Sequence, residues 1–166
     1  MKVAITGHTK GIGRSIYDYF KQNHIILGFS RSNGYDIRCD ESRNKILDYI
    51  KDFDIFVNNA YSNFDDNQLK LLQEVFGLWK GTNKIIINIS SRYVNDTNQY
   101  CITKNKQDQF CNANIYNLPK IINIKPGLID TDRVKNQPGN KLSTDDVVTV
   151  LEFCMHHNVR SITFGI

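Results

Sequence analysis

Tyr100 and Lys104 stand four residues apart in Tyr100-Cys101-Ile102-Thr103-Lys104. On an α-helix that spacing places both side chains on one face. A free phenol has a pKa of about 10, too high for ready proton exchange at neutral pH. A neighbouring ammonium favours the phenolate and brings that value down, which would make Tyr100 a general acid and base.

A second group of residues suits a phosphate. Thr6-Gly7-His8-Thr9-Lys10-Gly11-Ile12-Gly13 follows an apolar run and leads into a helical segment, residues 14–22. Gly7, Gly11 and Gly13 allow a tight turn and bring backbone close to a pyrophosphate, and the helix start adds free N–H groups and a favourable dipole. The next apolar run ends Phe29-Ser30-Arg31-Ser32. A site selecting NAD carries an acid there for the ribose 2′-hydroxyl. Here the acid is missing. Arg31 can stack on adenine and bond a 2′-phosphate, and Lys10 can reach the same phosphate from the turn. Together they favour NADP(H).

The elements that must position these residues alternate. Residues 3–6, 25–29, 55–57, 85–89 and 121–124 are nearly continuous β-branched runs, as strands buried on both faces should be, and residues 161–164 close the chain. Leu69, Leu72, Val75, Phe76 and Trp79 share one helical face. Val147, Val148, Leu151, Cys154 and Met155 share another, behind the cap Ser143-Thr144-Asp145-Asp146. Such alternation predicts a doubly wound α/β domain: a parallel sheet with helices on both faces. Only Ser32-Asn33-Gly34 separates the second strand from residues 35–38. A parallel crossover needs about a dozen residues, so residues 35–38 are expected to be a loop or irregular edge. About six strands remain, with the usual outer third strand lost or vestigial.

The 166 residues form a single predicted domain, 1–166. Hydrophobic residues are 40% and charged residues 23%, the balance of a soluble globular chain. The net charge of +4 is scattered, which favours a small anionic ligand and argues against nucleic acid. No apolar run suits a signal peptide or a membrane span. Cys39, Cys101, Cys111 and Cys154 form no CxxC pair and have no patterned His neighbours. That predicts neither a disulfide framework nor a metal site, but the reduced thiols of a cytoplasmic protein.

In its motifs the sequence closely resembles the short-chain dehydrogenase/reductase family. The glycine turn matches TGxxxGxG. Asn58-Asn59-Ala60 matches NNAG, with Tyr61 in place of the last Gly. Ile89-Ser90-Ser91 matches the strand-end serines, residues 100–104 match YxxxK, and Pro126-Gly127-Leu128-Ile129-Asp130-Thr131 matches PGxxxT. The motifs occur in the family's order and span most of the chain. The resemblance implies a Rossmann-like fold and hydride transfer between NADP(H) and a small aldehyde, ketone or alcohol. It makes Tyr100 the proton donor to the carbonyl, gives Lys104 the nicotinamide ribose, and has Ser91 rather than Ser90 hold the carbonyl oxygen. The implied cofactor site comprises Gly7, Thr9, Lys10, Gly11, Ile12, Gly13, Ser30, Arg31, Ser32, Asp36, Ile37, Asn59, Ala60, Tyr100, Lys104, Pro126, Gly127, Ile129 and Thr131.

The chain also departs from the family. Ser91 stands closer to Tyr100 than usual, and the stretch after Ala60 is curtailed. The fourth catalytic position, a helical Asn, has Asn67 as its candidate, which could equally be an N-cap. The substrate lid shrinks to a polar stretch, 132–142, so an exposed site and loose substrate choice are expected. Arg133, Lys135 and Lys141 there are read as either attracting an anionic substrate or simply solvated, the latter being favoured. Relatives pair through segments equivalent to 98–114 and 67–80, so a homo-oligomer, dimer or tetramer, is expected. The short lid leaves one other reading: a non-catalytic sensor or interaction protein that binds NADP(H) or a partner without turnover.

Overall fold

A computed structural model of the chain describes residues 1–62, 65–93 and 97–165. Strand and helix alternate as β1 (Lys2–Thr6), α1 (Gly11–Lys21), β2 (Ile25–Phe29), α2 (Asp40–Ile50), β3 (Ile55–Asn58), α3 (Asn67–Leu78), β4 (Ile85–Ile89), α4 (Gln99–Ala113), β5 (Lys120–Pro126), α5 (Thr144–His156) and β6 (Ser161–Phe164). The strands form one six-stranded sheet in the order β2-β1-β3-β4-β5-β6, and every pairing is parallel. From β1 the chain steps outward to β2, and α2 then carries it back across β1 to β3. The crevice between the C-terminal ends of β1 and β3 is therefore the switch point, where ligands bind in open α/β sheets.

Helices cover both faces. On one, Ile16 and Phe20 of α1 and Val147 and Leu151 of α5 pack on Val3, Ile5, Val57 and Ile87. On the other, Ile46 and Ile50 of α2 and Leu71, Leu72, Val75 and Trp79 of α3 pack on Ala4, Phe56 and Ile86. Two of the helices start at side-chain caps. In α5, Ser143 Oγ accepts from the Asp146 N–H (3.1 Å) while the Asp146 carboxylate accepts from the Ser143 N–H (2.7 Å). In α4, the Asn98 side chain accepts from the Cys101 N–H at 2.9 Å, fixing the first turn that carries Tyr100. No helix among the described residues is long and apolar enough to cross a membrane.

As expected, residues 35–38 form no strand. After β2 the chain makes one 3₁₀ turn, Arg31–Asn33, and α2 begins at Asp40. The apolar stripe of α2 is thin, with only Arg43, Ile46 and Ile50 buried, so hydrophobic periodicity does not announce this helix. Arg43 is the reason a polar helix can lie there. Its guanidinium, 4% exposed, ion-pairs with Asp40 and with Glu74 of α3 (3.1 Å), and donates to the Ile37 carbonyl (2.8 Å). A buried charge so fully paired ties α2 to α3 and to the loop before it.

A row of amides crosses the sheet beneath α4. Asn58, Asn88 and Asn123 are register partners on β3, β4 and β5, and all are buried. Asn58 Nδ2 donates to Asn88 Oδ1 (2.9 Å), Asn88 Nδ2 to Asn123 Oδ1 (2.8 Å), and Asn123 Nδ2 to Asp108 Oδ1 of α4 (2.7 Å).

Candidate active site

The glycine turn fills the crevice between β1 and β3. Gly7 has φ +72, a conformation that favours glycine. At Gly13 a Cβ would stand 2.1 Å from the Gly7 carbonyl oxygen and 2.4 Å from Asn59 Nδ2, so α1 can close on the turn only without a side chain. The turn after β3 is bolted to it. Asn59 Nδ2 donates to the carbonyls of Thr6 (3.0 Å) and Gly7 (3.1 Å), and Thr6 Oγ1 accepts from the N–H groups of Asn59 and Ala60. Thr9 and Lys10 are exposed beside the start of α1, and Ile12 packs half-buried on the core.

The turn after β2 is folded by its own side chains. Asn33 Oδ1 accepts from the Ser30 N–H (2.7 Å), and the Ser30 and Ser32 hydroxyls share a hydrogen bond (2.8 Å). Arg31 is thereby held exposed just past the strand end, with no ion-pair partner among the described residues. Ile37 is buried and fixed by Arg43. Asp36 is bidentate on Arg38 (2.6 Å at the closest), whose guanidinium holds its carboxyl below the usual carboxylate value.

Ser91 and Tyr100 meet at the end of β4. The Ser91 hydroxyl accepts from the Tyr93 N–H (3.0 Å) and lies close enough to the Tyr100 phenol to favour its phenolate. Part of the short connection between them, residues 94–96, lies outside the described residues. Ser90 is equally buried, but its hydroxyl has no partner among the described residues. Tyr61, in place of a glycine, sets its ring edge-on to Tyr100, with centroids 5.3 Å apart.

Lys104 corrects one expectation. Its ammonium turns into the protein, donating to Gln68 Oε1 (2.8 Å) and the Ile89 carbonyl (2.9 Å), and lies 5.9 Å from the Tyr100 ring centre. The Tyr100 phenol is not brought below its ordinary pKa but raised, because burial disfavours the phenolate. The Ser91 hydroxyl and the Arg133 charge pull against that rise. A lysine has three N–H donors, so one remains after these two bonds.

Asn67 is not brought to the site. Its side-chain oxygen takes the Arg43 guanidinium at 3.5 Å, and the N-cap of α3 is Asp66. The neighbouring Gln68, completely buried, is the residue that reaches Lys104. Gln68 Nε2 also donates to the carbonyls of Asn58 (2.9 Å) and Ile89 (3.1 Å). The signal was present: the buried stripe Leu71, Leu72, Val75, extended back one turn, arrives at position 68.

Burial also pushes the Lys104 ammonium down to about 7, with Asp108 opposing the shift and Arg133 adding to it. In the unfolded chain the same group keeps its proton up to 10.5. Between those values the unfolded state binds more protons, so raising the pH stabilises the fold. Thermal melts should therefore show the wild type gaining stability from about pH 7 to about pH 9, and Lys104→Met gaining less. Equal gains in both proteins would contradict this.

On the far side of the crevice, the Gly127 N–H donates to the Phe164 carbonyl (2.8 Å), Pro126 and Ile129 are buried, and a Cβ at Gly11 would touch Thr131 Cγ2 at 3.1 Å. Thr131 thus faces the glycine turn. The lid remnant is not merely solvated. A 3₁₀ turn, Asp132–Val134, places the Arg133 guanidinium 4.6 Å from the Tyr61 ring centre and 5.8 Å from that of Tyr100. Lys135 and Lys141 are not part of this cluster. Lys141 donates to the Lys135 carbonyl (3.0 Å) in an exposed bond.

No protein-family model matches the chain, and no curated protein matches it in sequence. Solved structures do match. A short-chain dehydrogenase from Burkholderia cenocepacia, in complex with NADP, is 17% identical with a TM-score of 0.85, over 99% of this chain and 88% of that one. A short-chain dehydrogenase from Sphingobium yanoikuyae, in complex with NADPH, is 13% identical with a TM-score of 0.79, over 98% and 87%. The 3-alpha-hydroxysteroid dehydrogenase from a Pseudomonas species, complexed with NADH, is 14% identical with a TM-score of 0.79, over 99% and 96%. At these identities the likeness is one of fold, and the chain has the fold of the short-chain dehydrogenases over nearly its whole length.

Proposed function

We propose that the chain is an NADP(H)-dependent oxidoreductase of the short-chain type, interconverting a small carbonyl compound and its alcohol. The observation that carries this reading is the half-buried Tyr100 phenol, beside Ser91 and one helical turn from the buried Lys104. Ser91 and the glycine turn follow the C-terminal ends of β4 and β1, on the same edge of the parallel sheet. Fold neighbours crystallised with NADP or NADPH support the choice of cofactor.

The residues present fit NADP(H). Gly13 lets the N-terminus of α1 pack directly on the turn at Gly7, and that helix start suits a diphosphate. Arg31 and Lys10, both exposed, suit a 2′-phosphate, and the remaining donor of Lys104 suits a ribose hydroxyl. When bound, the cofactor supplies or takes up a hydride at the substrate carbon.

In reduction, Ser91 holds the carbonyl oxygen and Tyr100 gives it a proton. The raised phenol pKa keeps that proton on Tyr100 at neutral pH, which suits an acid. Gln68 and the Ile89 carbonyl hold the Lys104 ammonium, and Asp108 favours its charged form. In oxidation the same groups act in reverse. The test is consumption of NADPH by wild-type protein across small aldehydes and ketones. Binding of NADPH without turnover of any of them would favour a sensor instead.

The exposed outer side of α4, with Ile102 40% accessible, supports pairing with a second copy through α3 and α4. Light scattering at micromolar concentration should give a multiple of 19.2 kDa, and a monomer mass would oppose pairing.

A further inference from the structure

Arg133 is the feature that the reductase reading leaves unused. It is exposed, and no acidic side chain among the described residues pairs with it, although Asp130 and Asp132 flank it in sequence. Its guanidinium lies instead by the rings of Tyr61 (4.6 Å) and Tyr100 (5.8 Å). A guanidinium engages aromatic rings through its flat faces, while its donors lie in the plane, in a fork that matches a carboxylate. Contact through a flat face would leave the fork available, and no acidic side chain among the described residues takes it. The nearest ring that can do chemistry belongs to Tyr100, whose hydroxyl meets the carbonyl oxygen.

We infer that Arg133 binds the carboxylate of the substrate, which is a small oxo acid with the carboxylate one or two carbons from the carbonyl, reduced to the hydroxy acid. The inference rests on the reductase reading. The reduced nicotinamide supplies a hydride to the carbonyl carbon, Tyr100 supplies the proton on oxygen, and the carboxylate is unchanged. The lid remnant, residues 132–142, is short, and one charged fork gives the site a preference for an anion. Tyr61 then has a use: its ring braces the guanidinium where a glycine could not.

Two anions compete for this fork. The cofactor's diphosphate is one, but the turn suited to it is at Gly7, Gly11 and Gly13, whereas Arg133 lies by the rings of Tyr61 and Tyr100. Paired substrates distinguish the two: pyruvate and acetoacetate against their methyl esters, which keep the carbonyl and lose the charge. Wild type should turn over the acids with the higher kcat/KM. Arg133→Gln should raise KM for the acids by roughly 10- to 10²-fold, the scale of a lost charge-assisted bond, and leave KM for the esters unchanged. Arg133→Lys should recover part of the loss. The dissociation constant for NADPH should be the same in all three proteins.

The inference is overturned if wild type prefers the esters, or if Arg133→Gln raises KM for acids and esters alike. It is also overturned if the variant weakens NADPH while the acid-to-ester ratio stands, since Arg133 would then grip the cofactor. In each of those outcomes the reductase reading survives. Wild type that reduces no carbonyl at all would remove both.

Discussion

Tyr100→Phe should lower turnover on the order of 10²-fold or more, the scale of lost general acid–base catalysis. The change keeps the ring, and with it the edge-on contact to Tyr61, while deleting the hydroxyl that Ser91 meets. Affinity for NADPH should hold, because the phosphate cradle and Arg31 are untouched, and the melting temperature should barely move. Lys104→Met should behave differently. It removes the donor suited to a ribose and both inward bonds, to Gln68 and to Ile89, so turnover and cofactor affinity should fall together. Steady-state rates and dissociation constants for both variants beside wild type make the comparison. A Tyr100→Phe protein that reduces its best carbonyl at the wild-type rate would end the proposed mechanism.

Arg31→Asp should weaken NADPH on the order of 10²-fold, because it replaces a charge-assisted partner of the 2′-phosphate with a like charge. NADH, which lacks that phosphate, should lose little. The turn around position 31 is held by Ser30, Ser32, Asn33 and the Gly28 carbonyl, none of which the change touches, so the effect should be local. Lys10→Ala should act in the same direction more gently. Titration of both nucleotides against each protein decides the matter, and equal losses, or tighter NADH binding by wild type, would overturn the preference for NADP(H).

The sheet is legible in the sequence because its inner strands are buried on both faces, and runs such as Ile85–Ile89 have no other use. The gap after Ser32 was equally plain, since chain length alone forbids a crossover there. The polar interior was harder to read. Gln68 and Arg43 are buried against the ordinary habit of their types, and only their partners make that tolerable. A pattern of apolar residues cannot announce them. The phenol's raised pKa was missed for a related reason: helical spacing puts Lys104 on the face of Tyr100, but the backbone and Gln68 decide where its ammonium points. In the sequence Arg133 is one more cation in a polar loop, and only folding brings it beside the two rings.

The amide row on β3, β4 and β5 bears on how the strands find their alignment. Strands that are apolar on both faces lose little hydrophobic burial when shifted along one another, so the usual alternation of inside and outside cannot choose among alignments. Three asparagines at one level can. Slipping β4 by a single residue would turn Asn88 to the opposite face and break its bonds to Asn58 and Asn123, each stranded group costing about 1–3 kcal/mol. The row therefore acts as a vernier for the sheet's C-terminal edge. It holds level the ends of β3, β4 and β5, and with them Asn59, Ser91 and Gly127, so that the two turns and the hydroxyl converge on one crevice. A chain with so little lid has no later step in which to correct that alignment, and the three asparagines are open to exchange only as a set.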